Sequence, residues 1–166
     1  MKKLIGSNKL KTAVFISGTG SNLKNLVKFS NLKNSPIKIE LVISSNAKAK
    51  GLSFAKNLKL KSKVFSFKNR KDDIKIVRFL KKNNINFICL AGFMKILSNN
   101  FITNFNGRIL NIHPSLLPKY KGLNTHQRVL DNKEKFSGCT VHLVNAKLDS
   151  GKIILQKRVK ISKNDN

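Results

Sequence analysis

The stretch "TAVFISGTGSNLKNLV", residues 12–27, decides the fold. Its opening run is continuous in apolar residues rather than alternating, the pattern of a strand buried on both faces. Gly18 and Gly20 break the run, and Leu23, Leu26 and Val27 then recur at helical spacing. A buried strand that turns through glycines into a helix is the first unit of a parallel sheet.

Outward from that unit the alternation repeats. "IKIELVI" (37–43) reads as a second strand, and "NAKAKGLSFAKNL" (46–58) as a helix with Asn46 as its N-cap, although Gly51 weakens it. "SKVFSF" (62–67) is a short third strand. "RKDDIKIVRFLKKN" (70–83) puts Ile74, Val77 and Leu80 on one helical face, with Asp72 and Asp73 at the favourable end of the helix dipole. "INFICLAG" (85–92) is the fourth and most apolar strand, "SNNFITNF" (98–105) a short helix capped by Ser98, and "RILNI" (108–112) the fifth strand. Two more strands, "GCTVHLV" (138–144) and "KIILQKRV" (152–159), flank the turn "KLDSG". The expected architecture is an α/β, doubly wound, mostly parallel sheet with helices on both faces. Ligands in such folds bind beyond the carboxyl ends of the strands. That edge carries "SGTGSN", "AGFMK" and "NIHPS".

The 166 residues fit a single domain with a real core. No stretch is apolar for long enough to span a bilayer, and "MKKLIGSNKLK" turns polar too soon for a signal peptide, so no membrane partner and a cytoplasmic location are expected. Cys89 and Cys139 stand in apolar runs without metal-ligand or redox spacing and read as small core residues. A net charge of +27 raises the question of nucleic acid. Yet arginine occurs only at 70, 78, 108, 128 and 158, and the lysines are scattered along the chain in runs no longer than two. Readers of nucleic acid favour arginine forks and interleaved aromatics. With 21 asparagines as well, a Lys and Asn bias at permissive surface positions accounts for the charge. No specific nucleic-acid partner is expected.

In "SGTGSNLK" (17–24), Gly18 and Gly20 allow a tight turn, and Ser21 and Asn22 open the helix. Unpaired N–H groups at a helix start favour an anion by ~0.3–1 kcal/mol, up to ~2 when partly buried. A phosphate would suit the place, although the segment matches neither the dinucleotide fingerprint nor the P-loop. It reads equally as a turn whose Ser21 caps the helix. In "NIHPS" (111–115), Asn111 and His113 are two apart and, if extended, point to one side. A histidine can move a proton near neutrality and an asparagine amide can hold an oxyanion. Each could also be structural, as could His126 and His142, the latter within a strand. Among seven acidic residues, Asp131 and Glu134 read as a polar turn, and Asp149 in "LDSG" remains to orient a histidine or to initiate its turn.

Together, "ISGTGSNLK", "LAGFMKIL", "NIHPSLLPKYKGLNTH" and "LDSGKIILQ" resemble the phosphoribosylglycinamide formyltransferase family, in the family's order and over nearly the whole chain from about residue 12. The resemblance implies a Rossmann-like formyltransferase fold and transfer of a formyl group from 10-formyltetrahydrofolate to the amine of glycinamide ribonucleotide. It assigns Asn111, His113 and Asp149 to catalysis. Gly20, Ser21 and Asn22 match the phosphate loop, and Met94, Lys95, Ile96 and Leu97, with Arg70 and Asn111, the folate pocket. The family commonly has arginine where Lys95 stands. It implies small-molecule substrates, no metal, and a monomer or homodimer. Family members continue through a further helix and hairpin, so a single formyltransferase domain over 1–166 is expected to be C-terminally short. Hydrolysis of formyltetrahydrofolate, formyl transfer to another acceptor such as methionyl-tRNA, and a non-catalytic basic domain binding nucleotides or RNA are the competing readings.

Overall fold

The computed structural model describes residues 9–162 and 165, so the leader-like start lies outside the described residues for positions 1–8. In chain order the elements are β1 (Leu10–Ile16), α1 (Ser21–Ser30), β2 (Ile37–Ser44), α2 (Lys50–Asn57), β3 (Lys61–Val64), α3 (Arg70–Lys82), β4 (Phe87–Leu90), α4 (Asn99–Asn104), β5 (Arg108–His113), α5 (Thr125–Asp131), β6 (Phe136–Leu143) and β7 (Ile153–Lys160). The strands form one sheet in the order β3-β2-β1-β4-β5-β6-β7. The first five run parallel, whereas β6 is antiparallel to β5 and β7 to β6. No helix among the described residues is long and apolar enough to cross a bilayer.

Strand β1 lies between β2 and β4 in the interior of the sheet, and its Ala13, Val14, Phe15 and Ile16 are all fully buried. Alternate side chains go to opposite faces. Val14 and Ile16 join Leu23, Val27, Val42 and Ala55 beneath α1 and α2. Ala13 and Phe15 join Leu41, Ile43, Ile76, Leu80 and Phe101 beneath α3 and α4. Phe15 is the hub of the second cluster, meeting Phe67, Phe93 and Phe101 edge-on at 5.8, 5.4 and 6.1 Å between centroids. Cys89 is buried in the sheet, which pushes its thiol up to about 11. Cys139 is half-buried, and both thiols are free.

Local signals explain most element ends. Ser98 caps α4 by accepting from the Phe101 N–H at 3.0 Å, as its position predicts. Asn69 does the same for α3 through the Asp72 N–H at 3.1 Å. Four readings change. Helix α2 starts at Lys50, because the Asn46 carboxamide folds onto the Lys48 N–H (2.9 Å) and makes a turn of its own. Helix α1 is not capped by Ser21; left-handed Gly20 precedes it without a side-chain cap. The buried face of α3 runs through Asp73, Ile76 and Leu80 and leaves Ile74 exposed. Residues Thr125–Asp131 form a helix that the sequence does not mark, so Asp131 closes a helix instead of standing in a polar turn, and only Thr125 and Val129 in it are buried.

Strand order reverses between β1, whose neighbours β2 and β3 lie to one side, and β4, which leads to β5 on the other. This is the switch point where open α/β sheets bind ligands. The connections after β1, β4 and β5 share that edge.

Candidate active site

Strand β5 ends in Asn111, Ile112 and His113, and the antiparallel register of β6 sets His142 opposite Asn111. The turn before β7 returns to the same place because Asp149 adopts a left-handed conformation, φ 44°. Its carboxylate becomes the meeting point of four groups. Oδ2 accepts from the Gly122 N–H at 2.8 Å and lies 3.4 Å from His113 Nδ1. Oδ1 lies 3.4 Å from Asn111 Nδ2 and 3.5 Å from His142 Nε2. His113 is 4% exposed and His142 2%, so the cluster is largely out of water.

The two imidazoles are held differently. His142 donates from Nδ1 to the Leu143 carbonyl (2.8 Å), which leaves Nε2, 3.2 Å from Asn111 Nδ2, to accept from that amide while the ring is neutral. A proton on Nε2 instead turns toward Asp149 and releases an Asn111 N–H. Burial lowers the pKa of His142, but the Asp149 carboxylate and the Leu143 carbonyl outweigh it and hold the group above its usual value. Burial likewise raises Asp149, and is outweighed by His142, the Gly122 N–H and the His113 charge, which together keep the carboxyl below the usual range. His113 donates from Nε2 to the Tyr120 carbonyl at 2.8 Å, so Nδ1 is the nitrogen that faces Asp149. Such a site can present amide and imidazole donors to a developing oxyanion and pass a proton over short distances.

Of the sequence candidates, Asn111, His113 and Asp149 come together as the motif requires. His142 belongs with them, although its place in a strand marked it as structural; only the pairing of β6 with β5 brings it in. Gly20, Ser21 and Asn22 lie on the same edge. Phe15 is in register with Leu90, and Leu90 with Asn111, so with strands about 4.8 Å apart the β1 row is roughly 10 Å from the Asn111 row. Gly20 has φ 81°, and a Cβ there would stand 2.7 Å from the Gly51 Cα; the Gly51 N–H also donates to the Gly18 carbonyl at 3.1 Å. The loop is thus backed by α2. The first N–H groups of α1 have no side-chain cap and no acidic residue in the first turn, leaving donors for an anion.

Met94, Lys95 and Ile96 are exposed in the connection after β4, while Leu97 is buried in the core. This connection is tied to the first loop: Ser17 Oγ accepts from the Met94 N–H at 2.8 Å and lies 2.6 Å from Ser45 Oγ. Arg70 is exposed at the start of α3, in the region joined to the same connection by the Phe67–Phe93 contact of 4.8 Å.

The sequence pattern of the formyl transferase family matches residues 10–166. The chain belongs to this family. A phosphoribosylglycinamide formyltransferase of Haemophilus influenzae is 44% identical over 160 residues that cover 94% of this chain and 76% of that protein. The trifunctional purine biosynthetic protein adenosine-3 of Homo sapiens is 44% identical over 161 residues, 95% of this chain but 16% of that protein, so the chain spans about a sixth of the trifunctional relative's length. The crystal structure of a phosphoribosylglycinamide formyltransferase from Anaplasma phagocytophilum superposes with a TM-score of 0.88 at 40% identity, covering 96% of this chain and 76% of that one.

Proposed function

We propose that this formyl transferase moves a formyl group from 10-formyltetrahydrofolate to the amine of glycinamide ribonucleotide, in purine synthesis in the cytoplasm. Residues 1–166 contribute one formyltransferase domain, acting as a monomer or homodimer on small molecules. The observation that carries this reading is the gathering of Asn111, His113 and His142 within 3.5 Å of one carboxylate, Asp149, on the edge that also holds the uncapped start of α1. The names of the relatives support the choice of substrates.

In this reading the ribonucleotide's phosphate sits on the N–H groups of Gly20, Ser21 and Asn22. The folate lies along Met94, Lys95 and Ile96, with Arg70 nearby. Leu97 serves through its backbone, since its side chain is in the core. A backbone role for this segment also tolerates lysine at position 95, where a forked side-chain contact would not. The amine nitrogen attacks the formyl carbon, the bond from that carbon to the folate nitrogen breaks, and the amine's proton ends on the folate nitrogen. His113 as imidazolium, donating from Nδ1, and the Asn111 amide stabilise the tetrahedral oxyanion between, and the loss of one such donor costs on the order of 2.7–4 kcal/mol of barrier. Asp149 holds the imidazoles and carries their charge.

Purified protein with a labelled formyl donor, assayed with and without glycinamide ribonucleotide, tests the reaction. Transfer that depends on the amine supports it. Formate released without the amine indicates hydrolysis, and steeply salt-dependent RNA binding with indifference to folate analogues indicates a binding domain. His113→Ala should keep phosphate binding and lose turnover, and unchanged turnover overturns the catalytic assignment.

A further inference from the structure

His113 is aimed by a backbone carbonyl. A carbonyl oxygen only accepts, so the 2.8 Å bond from Nε2 to Tyr120 O keeps a proton on Nε2, and Nδ1 becomes a donor toward Asp149 and the substrate when the ring takes up a second proton. Tyr120 provides that carbonyl from a left-handed backbone, φ 54°, which a non-glycine residue holds at a cost of about 1–3 kcal/mol unless its surroundings impose it.

Those surroundings are a set of ties on the loop that carries it. The Ser115 hydroxyl reaches the Lys119 and Tyr120 carbonyls, at 2.9 and 3.1 Å. The Tyr120 hydroxyl donates to Glu134 Oε1 at 2.8 Å, and the Lys119 ammonium donates to the same oxygen at 2.8 Å. The Arg128 guanidinium stands 5.5 Å from the Tyr120 ring centre and donates to the Lys121 carbonyl at 2.7 Å. Glu134 is itself anchored, its N–H donating to the Val129 carbonyl of α5 at 3.2 Å. In a chain with only seven acidic residues, one carboxylate oxygen accepts from both Lys119 and Tyr120 of this turn.

We propose that Glu134 is a positioning residue for formyl transfer: through the Tyr120 hydroxyl it fixes the Tyr120 carbonyl, and through that carbonyl the tautomer and direction of His113. The strap touches no substrate. The inference rests on the reading of His113 as the catalytic imidazole, and its test is separable from that reading. The hydrogen bonds from Lys119 and Tyr120 keep the Glu134 carboxyl below its usual range, as an acceptor of two donors requires.

The test uses Tyr120→Phe, which removes only the hydroxyl, together with Glu134→Ala, Glu134→Gln and the Tyr120→Phe/Glu134→Ala double variant. The nitrogen NMR signals of the His113 ring report its tautomer independently of activity. In the parent protein Nε2 is protonated. In Tyr120→Phe and Glu134→Ala the ring should divide between tautomers. Turnover should fall roughly 10- to 100-fold with KM for both substrates held, the scale of a small misplacement of a reacting group. Glu134→Gln, which keeps an acceptor for the hydroxyl, should recover most of the loss, and the double variant should be no worse than the poorer single one. If the His113 signals in Tyr120→Phe match those of the parent, the strap is overturned whatever turnover does. If they change while turnover holds, the strap stands and the catalytic reading of His113 falls.

Discussion

Gly51→Ala isolates the contact between the glycine loop after β1 and the helix behind it. On helix propensity alone, alanine inside α2 is the better residue by ~0.8–1 kcal/mol. The new Cβ, however, would stand 2.6 Å from Ile16 Cδ1, 3.1 Å from Gly20 Cα and 3.4 Å from the Gly18 carbonyl oxygen. Ile16 is fully buried and cannot swing away, and the other two atoms are backbone. Overpacking of this kind costs about 1–3 kcal/mol. The two terms leave a net loss of about 0–2 kcal/mol in global stability, and the strain falls on the loop. If displacement of residues 18–22 forfeits ~1–2 kcal/mol of anion binding at the start of α1, affinity for the phosphate-bearing substrate drops roughly 5- to 30-fold. Steady-state kinetics should show KM for glycinamide ribonucleotide raised by that factor, with kcat and the folate KM close to the parent's. Thermal melting should show a change of only a few degrees. A variant with unaltered KM and a higher melting temperature would refute the view that Gly20 and Gly51 need their close approach.

Three further outcomes are expected. For Asp149→Asn the signs are set by two shifts. The depressed Asp149 pKa gives stability that is present above its usual value of 3.8 and is lost as pH falls through the lower folded value. The raised His142 pKa gives stability that is full below its usual 6.5 and is lost as pH rises through the higher folded value. The melting-temperature gap between parent and variant should therefore be widest between pH 3.8 and 6.5 and narrow on both sides; a gap that widens above pH 8 contradicts the pairing. Phe15→Ala should cost about 3–5 kcal/mol in denaturant unfolding, because a fully buried ring with three aromatic neighbours cannot be replaced by collapse alone; a loss under 1 kcal/mol would deny it the role of hub. Ser17→Ala removes the acceptor of the Met94 N–H and should raise KM for the folate several-fold at constant kcat, within the ~1–3 kcal/mol of an orphaned donor. A fall in kcat alone would count against that tie.

What the sequence discloses follows from which forces are local. Continuous apolar runs mark β1, β2, β4 and β5, since burial on both faces leaves no room for alternation. Ser98 is legible as a cap because the bond it makes is three residues away. Asn111 and His113 are legible because spacing within one strand fixes their common side. His142 is not, as its role depends on how an antiparallel strand registers with a neighbour 31 residues earlier. Gly51 reads as a weak point of a helix, and its reason is a backbone that passes close in space. Ile74 and Ile76 are equally apolar, and only the docking of α3 on the sheet decides between them. Helix α5 buries two side chains in seven residues, too few to leave a periodic signal. Glu134 looks like part of a polar turn until the loop after β5 folds back to meet it.

Asn111, His113, His142 and Asp149 all come from residues 108–150, whereas the loops that would seat the two substrates come from residues 16–97. In the proposed reading, the groups that handle the oxyanion and its proton follow the residues that seat phosphate and folate along the chain, with Asn111 belonging to both sets. Substitutions confined to residues 16–97 should therefore alter which anion and which carrier are admitted while leaving the cluster around Asp149 in place.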